Sequence, residues 1–124
     1  MSSHVLLIED DEPLSAILSA YLRARGYDVT VSPTAEAARS ALGGGLRPDL
    51  VLLDINLPGE TGWSVVRSDA LAAAGGPPVV VASAMAISPD RLREFGVAGY
   101  LPKPFALETL RTTIDRLLAT ESDA

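Results

Sequence analysis

Five polar residues in this sequence stand at or just beyond the ends of apolar runs. Glu9 and Asp10 follow Val5-Leu6-Leu7-Ile8, Asp54 closes Leu50–Leu53, Ser83 closes Val79–Ala82, and Lys103 comes shortly after Gly99-Tyr100-Leu101. Brought together, they would form a group of three carboxylates, a hydroxyl and an ammonium. Three carboxylates in one place repel unless a cation joins them. Hard oxygen donors of this kind suit Mg2+, which keeps several waters and takes one or two carboxylates together with a phosphate. Lys103 is the only lysine in the chain, against nine arginines, which makes an incidental placement less plausible.

Whether these groups meet depends on the elements that carry them. His4–Ile8 reads as a buried strand that stops at the acids Glu9 to Glu12. Pro13 then suits a first helical turn, and Leu14, Ile17, Leu18, Tyr21 and Leu22 recur at helical spacing up to a stop at Gly26. Tyr27–Val31 is a second strand, and Ser32-Pro33 reads as a cap opening an alanine-rich helix through about Leu42, closed by Gly43-Gly44-Gly45. Leu50–Leu53 is a third strand, Pro58-Gly59 a turn, and Trp63 to Ala74 a helix stopping at Gly75-Gly76-Pro77. Val79–Ala82 is a fourth strand. Ser88-Pro89 repeats the cap signature before a short helix to about Phe95, and Gly99–Leu101 is a brief last strand. Leu107, Leu110, Ile114, Leu117 and Leu118 mark a final helix, and the small, polar tail after Ala119 is expected to fray.

Five strands thus alternate with five helices. That order defines an α/β protein with a parallel sheet covered on both faces, and the wholly apolar strands agree with burial on two sides. Right-handed crossovers give an open, doubly wound sheet, whose ligands sit outside the carboxyl ends of the strands. Strands one, three and four are neighbours in such a sheet, so the five polar residues converge on one edge.

Composition narrows the remaining possibilities. The chain has 124 residues, the size of one domain, with 48% apolar and 21% charged residues. It has no cysteine, which removes disulfides, cysteine-ligated metals and thiol nucleophiles together. The net charge of −6 argues against nucleic acid or an anionic membrane as a direct partner. No apolar run reaches membrane-spanning length and no secretory signal is visible, so a cytoplasmic location is expected.

The motifs Ile8-Glu9-Asp10-Asp11, Asp54-Ile55-Asn56-Leu57-Pro58-Gly59 with Gly62, Ala82-Ser83-Ala84, and Gly99-Tyr100-Leu101-Pro102-Lys103-Pro104-Phe105 together resemble the receiver domain of bacterial two-component response regulators, of the chemotaxis-regulator kind. Forty-four residues separate Asp10 from Asp54, which suits that family, and the resemblance covers about residues 4–119. It implies a flavodoxin-like fold with strand order 2-1-3-4-5, a receiver domain over residues 1–120 and a flexible tail at 121–124. It implies that Asp54 is the phosphoacceptor, taking a phosphoryl group from a phosphohistidine on a sensor histidine kinase or phosphotransfer protein. Glu9 and Asp10 would hold Mg2+, with Asp54 and the backbone carbonyl of Asn56 as further ligands. Lys103 would pair with a phosphoryl oxygen, Ser83 would donate its hydroxyl, and Tyr100 would be the coupled switch aromatic. Lys103-Pro104 would be a cis peptide. The last two helices and last strand would carry the altered surface to an output domain or protein. On this reading the chain is a switch that assists its own phosphorylation and dephosphorylation rather than an enzyme.

Plainer readings exist for several of these residues. Asp11 and Glu12 suit an acidic helix start. Asn56 suits a turn, Tyr100 and Trp63 suit packing, and His4 a strand edge. The three glycines at 43–45 follow a helix rather than a strand and lack the spacing of a phosphate cradle. There are also departures from the family pattern. The switch position holds Ser83 instead of the commoner threonine, which keeps the hydroxyl. Twenty residues separate Ser83 from Lys103, slightly few, so the fourth helix is expected to be truncated or irregular. Ala98-Gly99 stands where winged-helix regulators carry an acidic pair that helps them dimerise. Met85 cannot position a water by hydrogen bonding, which points to a long-lived aspartyl phosphate. Two rival functions remain. One is a receiver-like binding module that works without phosphorylation. The other is an aspartyl-nucleophile phosphohydrolase, for which Asn56 stands where a second acid is expected.

Overall fold

The five strands expected from the sequence pair side by side. In a computed structural model describing residues 2–57, 59, 61–68, 71 and 76–122, they form β1 (His4–Ile8), β2 (Asp28–Ser32), β3 (Leu50–Asp54), β4 (Val79–Ser83) and β5 (Gly99–Pro102). All pairings are parallel and the order is β2-β1-β3-β4-β5, as expected from the sequence. Among the described residues five helices accompany them: α1 (Glu12–Ala24), α2 (Ala35–Gly43), α3 (Gly62–Val66), α4 (Pro89–Phe95) and α5 (Leu107–Ser122). None of the helices searched is long and apolar enough to cross a membrane.

Alternate strand residues point to opposite faces, so uniformly apolar strands feed two cores. Leu6, Ile8, Val51, Leu53 and Val81 pack on one face with Ala38 of α2 and Val65 of α3. Val5, Leu7, Leu52, Val80 and Ala82 pack on the other with Leu18 and Leu22 of α1 and Leu110 and Ile114 of α5. β1, β3 and β4 are buried along almost their whole length, which is why their sequences show no polar alternation.

Side-chain caps set three helix starts. The Asp11 carboxylate accepts from the Leu14 N–H (3.1 Å), Thr34 from Ala37 (3.0 Å) and Ser88 from Arg91 (3.2 Å). The second corrects the sequence reading, which placed that cap at Ser32. Ser32 instead ends β2 opposite Ile8, and its carbonyl accepts the Glu9 N–H at 3.1 Å. Pro33 disfavours helical backbone at the residue before it, so the chain stays extended until Thr34.

Of the helix expected over Trp63 to Ala74, the stretch through Val66 is helical, the chain turns at Arg67 and Ser68, and Leu71 is helical again. The Ser68 N–H turns to the Val65 carbonyl (3.0 Å), tightening the chain, and residues 69, 70 and 72–75 lie outside the described set. Pro58 of the expected turn lies outside it too, whereas Gly59 has the positive φ of 84° that such a turn requires. α4 is short, seven residues, and closes at Gly96 in the left-handed region (φ 66°). α5 runs through Ser122, two residues into the stretch read as a tail.

Candidate functional site

The strand ends converge because the parallel register is nearly level. Ile8 pairs with Leu53, Asp54 with Ala82, and Ser83 with Pro102. One residue beyond each pair stands a polar group, so Glu9, Asp54, Ser83 and Lys103 share the carboxyl rim of the sheet. The Lys103 ammonium donates to Glu9 Oε2 at 2.9 Å and to Asp54 Oδ2 at 3.2 Å. Both carboxylates are buried (3% and 6% exposed), and the Lys103 side chain is largely so (19%). Asp10 is exposed at the mouth. Glu9, Asp10 and Asp54 each present a carboxylate oxygen within 4.8 Å of the others.

The charges at this rim do not balance, since three carboxylates face one ammonium. Burial raises the Glu9 carboxyl above its ordinary value; the Lys103 hydrogen bond opposes this, the Asp54 charge adds to it, and the rise prevails. Burial would lower Lys103, but the hydrogen bonds and charges of Glu9 and Asp54 outweigh it, and the ammonium is held above its usual range. A divalent cation fits this donor set, because it supplies the positive charge that one lysine cannot. Glu9, Asp10 and Asp54 are the residues able to hold it.

Ser83 is 2% exposed, and its Oγ accepts two hydrogen bonds, from Asn56 Nδ2 and from the Met85 N–H, each at 3.0 Å. With both lone pairs engaged, what the hydroxyl can still offer is its proton. Asn56 also turns its backbone N–H to Asp54 Oδ1 (2.9 Å). Its side-chain contact with Ser83 escaped sequence reading, which gave Asn56 only a turn or a backbone carbonyl. Tyr100 is half-buried on the face that carries α3 and α4, and its hydroxyl donates to the Met85 carbonyl at 3.2 Å. Met85 itself is 68% exposed. The Lys103–Pro104 peptide is cis.

Gly62 is a second feature that sequence reading left without a role. Its N–H bonds the Ile55 carbonyl at 2.9 Å, and a Cβ there would lie 2.8 Å from the Asp54 carbonyl oxygen and 2.9 Å from Ile55 Cα. The start of α3 is thus pressed directly on the backbone that presents Asp54. Trp63 packs, as expected, against the ring of Phe95. His4 opens β1 and its ring bonds Thr30 of β2 at 2.7 Å, a structural contact.

Fold and rim together set an acidic cluster that could hold a cation at the carboxyl edge of a doubly wound sheet. Residues 5–115 match the family model of the response regulator receiver domain, and the chain belongs to that family. It is 41% identical over 119 residues to the transcriptional activator protein PfeR of Pseudomonas aeruginosa, covering 94% of this chain and 38% of that protein. It is 35% identical over 125 residues to the DNA-binding response regulator MtrA of Mycobacterium tuberculosis, covering 99% and 54%. The chain therefore spans about half, or less, of the length of these curated relatives. Among solved structures, a CheY-like receiver domain protein from Methanospirillum hungatei JF-1 superimposes with a TM-score of 0.86 at 21% identity over the whole of both chains. The chemotaxis response regulator CheY4 of Vibrio cholerae gives 0.82 at 26% identity, over 94% of this chain and 99% of that one.

Proposed function

We propose that this receiver domain is a phosphorylation switch in which Asp54 takes a phosphoryl group from a phosphohistidine of a sensor kinase or phosphotransfer protein. An Asp54 carboxylate oxygen attacks phosphorus, the P–N bond to the imidazole breaks, and the departing ring takes up a proton. Mg2+ held by Glu9, Asp10, Asp54 and the Asn56 carbonyl would neutralise charge on the transferring group and orient it. Lys103, already between Glu9 and Asp54, pairs with a phosphoryl oxygen as a compact charge. Ser83 leaves Asn56 and Met85 to donate its proton to the phosphoryl group, and Tyr100 moves toward the space so vacated. The surface of α4, β5 and α5 changes with them, and an output domain or protein that binds only the altered surface shifts the population further. Residues 1–120 form the switching unit. It acts in the cytoplasm, contacts no nucleic acid directly, and assists its own phosphorylation and dephosphorylation instead of turning over a substrate.

The observation that carries this reading is the Lys103 bridge between two buried carboxylates, with Asp10 within ligand distance at the mouth. The test is labelling by a small acyl phosphate with Mg2+ present. One label per chain is expected, and Asp54→Asn should lose it. Undiminished labelling of that variant would reject the assignment.

A further inference from the structure

α4 is poorly anchored. It has seven residues, none of them buried, and only the half-buried Leu92 and Phe95 pack against the core, which holds it less firmly than the four buried residues of α1 hold that helix. Its end instead meets α3 and the turn after it. The Phe95 ring lies against Trp63 with centroids 4.4 Å apart and planes at 33°. The Arg67 guanidinium covers the Phe95 ring at 4.5 Å, and that of Arg91 stands 5.7 Å from Trp63 and 5.9 Å from Phe95. Glu94 joins the two cations, at 3.3 Å from Arg67 and 4.0 Å from Arg91. A groove of about 490 Å³ lies beside this cluster, bordered by Val66, Arg67, Glu94, Phe95 and Gly96.

Both ends of this arrangement reach the site. Trp63 follows Gly62, whose N–H is tied to the residue after Asp54. The other end of α4 follows the loop in which Met85 bonds Ser83 and Tyr100. We infer that Trp63, Phe95, Arg67 and Arg91 form a clasp that fastens α4 to α3 and holds the α4 surface in its resting position. The exposed ion pairs contribute little in water, so the rings and the guanidinium faces supply the hold. What the released surface does rests on the phosphorylation reading above; the clasp itself does not.

Amide hydrogen exchange on the unphosphorylated chain tests it. In Phe95→Ala and in Trp63→Ala, exchange over residues 90–96 should rise roughly tenfold, the scale of a ring pair with an overlying cation. Exchange in β1 and β3 should rise by no more than the loss of global stability that chemical denaturation measures. The double variant should exceed neither single one, because each already opens the clasp, and Trp63→Phe should keep protection. Additive effects, a rise in β1 and β3 beyond that loss, or no rise in α4 would overturn the proposal. Phe95→Ala should also take label from an acyl phosphate severalfold faster than the parent, and equal rates would overturn the clasp's control of the switch. A parent chain that takes no label defeats the phosphoacceptor reading alone, and the exchange result still decides the clasp.

Discussion

At Glu9, burial and the neighbouring Asp54 charge act in one direction and Lys103 in the other, and the carboxyl ends above its ordinary value. A raised carboxyl stabilises the fold at pH below the unfolded value, and that contribution is lost as pH rises through the folded value. An ionised Glu9 in the folded chain therefore costs stability unless a divalent cation joins Lys103 at the rim. Glu9→Gln should raise stability in the absence of divalent ions, by the ~0.5–2 kcal/mol common when a functional compromise is removed. It should lose most of the stabilisation that Mg2+ gives the parent. Thermal unfolding with Mg2+ and with chelator checks both statements; a variant less stable than the parent in chelator would contradict them. Glu9, Asp54, Ser83 and Lys103 were legible because each ends or closely follows an apolar run, a position that burial alone does not explain. The Asn56 amide on Ser83 was not. The two residues are 27 apart in sequence, and the aim of a short side chain leaves no periodic trace.

Elements were legible where a stripe or a cap defines them. Ser88-Pro89 marks the start of α4, and the stripe from Leu107 to Leu118 marks α5. The same cap signature misled at Ser32-Pro33, where pairing with β1 held the serine in the sheet and passed the cap to Thr34. In α3 the apolar and alanine-rich sequence reads as one long helix, yet the hydrogen bonding tightens at Ser68. Gly62 shows what binds this element to the site. Gly62→Ala would force a methyl to 2.8 Å from the Asp54 carbonyl oxygen, against backbone that has no rotamer to yield. The expected loss is about 1–3 kcal/mol, as for other overpacked positions. Chemical denaturation measures it, and an unchanged midpoint would show that the β3–α3 segment yields freely.

For the molecule as a whole, topology was the most legible feature. Three strands with continuous apolar runs, two further edge strands and the amphipathic helices alternating with them leave a parallel, doubly wound sheet as the consistent architecture. Closure between distant parts was less so. The Tyr27 hydroxyl, at the start of the β2 edge, bonds the Asp115 carboxylate on α5, a contact across 88 residues with no sequence signal. Burial and then that carboxylate push the phenol up to about 12 from 10.0. The neutral phenol is the favoured folded form, so its contribution is present below pH 10 and is lost as pH rises toward about 12. Near neutral pH, Tyr27→Phe should be less stable than the parent by about 1 kcal/mol, the net value of one hydrogen bond. That difference should vanish across the alkaline window. Lys103 adds its own alkaline loss in both proteins, so the comparison isolates Tyr27. A difference that stays constant with pH would contradict the assignment.

The central claim is that the carboxyl rim of this sheet assembles a cation site around a single reactive carboxylate. Site-resolved mass spectrometry of the chain after exposure to an acyl phosphate, with Mg2+ or with chelator, tests it most directly. One hydroxylamine-sensitive phosphoryl group on Asp54, present with Mg2+ and absent with chelator, is the predicted result. A phosphoryl group on another residue, or the same yield on Asp54 in chelator, would contradict it.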